Sequence, residues 1–134
     1  MGQTQLLMIV LAVIIIGIAV TVGITQFGES AATANQDALS ADCSTAINKA
    51  QGWFRKPTSL GGGGNSFTGL TLAKLGMNAT NANGTIELTA TSATVITALC
   101  TSASETQMAD ADKKIFVQMV YTSTTDAIVF TSVM

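Results

Sequence analysis

The sequence predicts an α+β chain: a long N-terminal α-helix, about residues 2–54, whose C-terminal half packs on a four-stranded antiparallel sheet. Three observations lead there. Residues 1–28 carry no charged side chain, and Leu6 to Ile24 is an almost uninterrupted apolar run. Small apolar residues then recur at steps of three and four as far as Trp53 and Phe54. From Thr85 onward, β-branched and apolar runs alternate with polar turns.

The first element is the apolar run LLMIVLAVIIIGIAVTVGI, broken in polarity only by Thr21 and the glycines. As a helix, roughly 19 residues at 1.5 Å each span about 28 Å, close to the hydrocarbon thickness of a bilayer. Leu, Ile and Val fall on every face, so the segment is not an amphipathic surface helix. A cleaved secretory signal begins with a basic residue and has a shorter apolar core. Here the start, Met1-Gly2-Gln3-Thr4-Gln5, has no basic residue and the apolar stretch is too long. A retained membrane anchor is expected.

The helical pattern does not stop where the span ends. Ala31, Ala34, Ala38, Ala41, Ala46, Ile47, Ala50, Trp53 and Phe54 recur at helical spacing, with Asn35, Asp37, Asp42, Asn48 and Lys49 among them. No proline interrupts before Pro57. Arg55-Lys56-Pro57 places cations at the negative end of the helix dipole and then a residue that cannot continue the helix. One helix of about 50 residues, near 80 Å long, follows.

Next come Gly61 to Gly64, expected to be flexible and to bury little. A phosphate-binding loop would need Gly-Lys-Ser/Thr at its end, whereas Asn65 and Ser66 follow. Leu70, Leu72 and Leu75 allow a short helical turn. Asn78-Ala79-Thr80 and Asn83-Gly84-Thr85 match the N-glycosylation pattern, which also arises by chance in a Thr-rich chain, so Asn78 and Asn83 are candidate acceptors. Strands are expected over 85–90, 94–100, 115–121 and 127–133, with a polar break, part of it helical, over 101–112 and a hairpin turn at Thr124-Thr125-Asp126. The two cysteines, Cys43 and Cys100, match no zinc or CxxC spacing. In an exported domain an even pair reads as a disulfide, here joining helix to sheet; two buried free thiols are the alternative.

The composition excludes several functions. Net charge is −2, and the basic residues cluster at most in pairs, Arg55-Lys56 and Lys113-Lys114, so nothing displaces counterions from nucleic acid. There is no histidine, which removes the commonest general base and metal ligand. Asp110 and Asp112 supply too few oxygens for calcium without help. Trp53 and Phe54 read as closing the helix–sheet core. The chain is expected to be no enzyme and to need no cofactor or metal.

Together, the apolar start and its continuation into a small head resemble the type IV pilin family; the sequence-specific part of the resemblance lies in the first 28 residues. Mature members follow a leader cut at a glycine, begin with a hydrophobic residue and carry Glu at the fifth position. With Met1 as the mature first residue, the fifth position is Gln5, a departure from that pattern; cleavage after Gly2, making Gln3 the first residue, is the other reading. The family's fifth-position carboxylate pairs with a neighbouring subunit's N-terminal amine. A neutral Gln5 accepts a hydrogen bond there but loses the charge attraction. The proline common in this part of the family's helix is absent, with Val22 in its place. Gly17 and Gly23 supply either a comparable weak point or close helix packing.

The resemblance implies two regions. Residues 1–28 span the inner membrane before assembly and form the filament core after it, and residues 29–134 form the globular head. It implies a structural subunit of an extracellular filament, with its own copies, the pilus assembly machinery and a prepilin peptidase as partners, and methylation, adhesion and motility among the family's attributes. A minor pilin or pseudopilin of a secretion system, and a single-pass anchored binding domain that does not polymerise, are the alternatives.

Overall fold

The computed structural model describes residues 2–102, 116–125 and 127–133. Met1, the pair Asp110 and Asp112, the lysines Lys113 and Lys114, Ile115, Asp126 and the helical part expected in the 101–112 break lie outside them.

One helix, α1 (Gly2–Arg55), runs unbroken through the apolar segment and into the head. Four strands follow: β1 (Gly84–Ala90), β2 (Val95–Ser102), β3 (Phe116–Thr122) and β4 (Ala127–Val133). They pair antiparallel in chain order, a simple meander. The expected α+β architecture is present, and the strand limits agree within two residues.

The register explains which side chains meet the helix. Cys100 lies between Ile86 and Val117, Ala98 between Leu88 and Met119, and Ile96 between Ala90 and Tyr121. Alternation along each strand puts these residues on one face. Against them α1 buries Leu39, Cys43, Ala46, Ile47 and Ala50. Ala46, Ala50 and Ala98 are short, which lets the helix lie close to the strands.

This buried stripe differs from the one expected. Ala31, Ala34 and Ala41 are exposed, and burial begins at Leu39. At about 100° per residue, Ala31, Ala34, Ala38 and Ala41 lie roughly 140° around the axis from the stripe that meets the sheet. The alanine spacing merges two different faces, because alanine is small enough to sit on either.

The top of the core is aromatic. Phe67, in a loop, is fully buried. Its ring centroid lies 4.6 Å from that of Phe54 and 5.9 Å, edge-on, from that of Tyr121. Phe54 therefore reaches the sheet through Phe67. The spacing gave Phe67 no such role.

Gly61–Gly64 is not a flexible tether. Gly63 N–H donates to Trp53 O (2.9 Å), Gly64 N–H to Lys56 O (2.9 Å) and Asn65 N–H to Phe54 O (2.8 Å). These are carbonyls that the end of a helix leaves without intrahelical donors. The loop folds back and caps α1. A Cβ on Gly62 would run into Lys56, and one on Gly63 into the Trp53 ring and Ser66 O. The glycines serve close approach of the backbone, and flexibility was the wrong expectation.

β4 stands apart. α1 packs on β1, β2 and β3, whereas Ile128, Val129 and Phe130 of β4 are 48–57% exposed, on both faces of the sheet.

These glycine contacts give a signed prediction. Gly63→Ala should destabilise the detergent-solubilised chain by about 1–3 kcal/mol, because the added methyl overpacks a closed contact. Gly52→Ala, on an exposed helix face with open space around it, should stabilise it by about 0.5–1 kcal/mol. Thermal unfolding followed by circular dichroism separates the two signs.

Candidate functional site

The largest unexplained surface is the N-terminal half of α1. Every Leu, Ile, Val and Met side chain from Leu6 to Ile24 is 51–73% exposed. No face is polar, and the segment is long and apolar enough to cross a membrane. Thr21 and Thr25 bond back to the helix backbone. Thr21 Oγ1 donates to Ile18 O (2.8 Å) and Thr25 Oγ1 to Val22 O (2.9 Å). The backbone closes its own hydrogen bonds, so what remains is an apolar cylinder with almost nothing for water to bind. Such a surface is of the kind that lipid or other apolar helices cover.

Gln5 is exposed near the start of this cylinder. The partner implied for it by the resemblance, an amine at Met1, lies outside the described residues. The helix passes through Gly17 and Gly23 without a break, and a Cβ at either would meet open space. Within one chain, neither glycine is required by a contact; a requirement would have to come from a neighbour.

The head is fastened to the helix at Cys43 and Cys100, which form a disulfide with Cα atoms 6.2 Å apart. Both residues are fully buried at the centre of the helix–sheet contact. The bond closes a loop that contains most of the head's first half, with a sequence separation of 57.

A second tie lies lower on the helix. Asp42 Oδ2 accepts from Asn81 Nδ2 (2.8 Å) and Asn83 Nδ2 (3.0 Å). Asn81 Oδ1 in turn accepts from the N–H groups of Asn83 and Gly84 (3.0 and 2.9 Å), setting the turn that starts β1. This separates the two glycosylation candidates. Asn78 is exposed. The Asn83 amide is half-buried and held by Asp42, so a glycan there would have to displace that bond. No local pattern marks this network, because its members are far apart in sequence.

At the upper end, Lys74 Nζ sits 5.7 Å from the Trp53 ring centroid and donates to Gly69 O (2.7 Å). The ammonium covers the ring and holds the loop, which is cation–π packing. Among the described residues, no group of three His, Cys, Asp or Glu side chains is placed to hold a metal ion.

No family model, curated protein or solved structure matches this chain.

The disulfide's contribution can be measured directly. In the chain-entropy estimate a loop of this size is worth about 4 kcal/mol, and native bonds commonly deliver about 2–4 kcal/mol. Reduction, or the pair Cys43→Ala and Cys100→Ala, should lower the denaturation midpoint of the head accordingly. An unchanged midpoint would show that helix–sheet packing alone holds the head.

Proposed function

We propose that the chain is a structural subunit of an extracellular type IV pilus-like filament, polymerising through its N-terminal helix. One observation carries the reading: a single unbroken helix joins an apolar cylinder to a stapled head. A tether needs only to keep its head near the membrane, and a flexible linker does that. A rigid joint fixes the head's direction relative to the apolar half. That is what a repeating array requires, since every subunit must present its head in the same orientation when its helix packs among others.

The apolar half then has two successive homes of similar polarity. Before assembly it lies in the inner membrane. In the filament it lies among copies of itself, with residues 29–134 forming the outer shell. In both places the helix needs no external hydrogen-bond partner. Assembly machinery and a prepilin peptidase are partners under this reading, and no chemistry is asked of the head. The exposed Ile128 and Phe130 on β4 supply an apolar patch that neighbouring heads would cover.

Two experiments test this. Deleting residues 1–28 should leave a soluble, folded, monomeric head that forms no filaments; filaments from the truncated chain would refute the role given to the helix. Electron microscopy of sheared surface material should show filaments that disappear in that deletion. A chain that stays monomeric in lipid with its helix intact would instead be an anchored binding domain.

Position 5 gives a sharper test. An amide left unpaired in the filament core would cost about 1–3 kcal/mol, so Gln5 is expected to bond the neighbour's amine or backbone. Gln5→Leu removes the polar group and should leave filament yield nearly unchanged, while Gln5→Lys adds a cation in a low-dielectric core and should reduce it steeply. Normal yield with Lys would place position 5 in water and overturn the alignment.

A further inference from the structure

The long helix carries its charges in separate zones. Glu29 and Asp37 lie below the head, and Lys49 and Lys56 lie beside it; all four are exposed. Lys56 follows the last residue of α1, yet its N–H still donates to Gly52 O (3.2 Å), so it continues the helical path. Arg55 already has a partner within the chain and is not needed here.

The two zones also lie on different flanks. At about 100° per residue, the stripe buried against the sheet defines one direction. Glu29 and Asp37 average about 95° to one side of it, and Lys49 and Lys56 about 115° to the other. Asp42, held by Asn81 and Asn83, also lies on the lysine side, roughly 85° from the buried stripe, while Lys49 and Lys56 stay exposed beyond it. Along the axis, Glu29 and Lys49 are about 30 Å apart and Asp37 and Lys56 about 28 Å. A single shift therefore brings both pairs together when two parallel copies lie side by side.

That same shift has an independent consequence. It moves a neighbour's residues by about 20 positions along the helix. The neighbour's Leu11, Ile14 or Ile15, Ile18 and Val22 then come beside Ala31, Ala34, Ala38 and Ala41. Ala31, Ala34 and Ala41 of this row are exposed and Ala38 is half-buried, and the row lies on the lysine flank. Small side chains there let a second helix approach closely. Part of the exposed apolar cylinder thus finds a matching surface at the stagger the charges select.

From this we infer a subunit–subunit interface, resting on the filament reading: the acidic flank of one copy (Glu29, Asp37) docks on the lysine flank (Lys49, Lys56) of a second, parallel copy staggered by about 29 Å. The two flanks are different surfaces of the same chain, so the contact is heterologous. Repeated without closure it extends as a helical filament and does not stop at a dimer.

Zero-length carbodiimide cross-linking of assembled full-length chain, followed by peptide mass spectrometry, tests it. Within one chain each pair is far beyond the reach of such a link, so a Glu29–Lys49 or Asp37–Lys56 product joins two copies. Both are expected. The double reversal E29K/D37K should abolish these links and filament formation at low ionic strength, where exposed charges are least screened. Adding K49E/K56E should restore both. Retention of the Cys43–Cys100 bond and of the head's circular dichroism in each variant separates lost assembly from lost folding. Filaments whose cross-links select another stagger, such as Asp37–Lys49, or normal assembly of E29K/D37K, would overturn the interface and leave the filament reading standing. Failure of the unaltered chain to form filaments at all would overturn both.

Discussion

Leu39, Cys43, Ala46, Ile47 and Ala50 on one side, and Ile96, Ala98 and Cys100 on the other, form the contact on which the molecule depends. The head has a small core, which a covalent bond reinforces. The helix–sheet contact has alanine on both sides, at Ala46, Ala50 and Ala98, and these positions each gain little apolar area. The Cys43–Cys100 bond compensates by limiting the freedom of the unfolded chain across the segment from helix to β2. It also fixes one point of the helix against one point of the sheet. Everything else in the head is arranged around that point: the Asp42 network below it, the Phe54–Phe67–Tyr121 cluster above it.

The end of the helix is the second structural problem. A helix of this length finishes with carbonyls that need donors, next to Trp53 and Phe54, which need cover. The glycine run solves both at once. Its N–H groups reach Trp53, Phe54 and Lys56 carbonyls, and its lack of side chains lets the backbone lie against the Trp53 ring. Because the cap is bonded to the end of α1, the head's loops are anchored to the same helix that carries the apolar segment. The head's orientation is thereby tied to that segment, the property a filament subunit would need.

The rest of the surface is consistent with a molecule whose interfaces are completed by neighbours. The apolar cylinder, Ala31, Ala34 and Ala41 on one flank and the β4 residues Ile128 and Phe130 are all exposed. Exposed apolar edges of this kind are liabilities in an isolated protein. The charges, by contrast, are few, and under the filament reading their segregation along the helix would give the apolar surfaces a direction in which to assemble.

Much of this was legible from the sequence, and the physical reason is local. The charge-free span, the helix that continues past it, the stop at Arg55-Lys56-Pro57 and the four strands all follow from hydropathy and periodicity within a few turns of chain. The even cysteine pair, read as belonging to an exported domain, was enough to expect the disulfide. Three features were decided only by tertiary structure. Which helix face meets the sheet depended on where the strands lie, so Leu39 joined Cys43 in the contact and Ala31, Ala34 and Ala41 were left outside it. Phe67 became the centre of the aromatic cluster although nothing around it is periodic. The glycine run became a cap, because the carbonyls and the ring it covers belong to a helix end that composition alone does not place beside it.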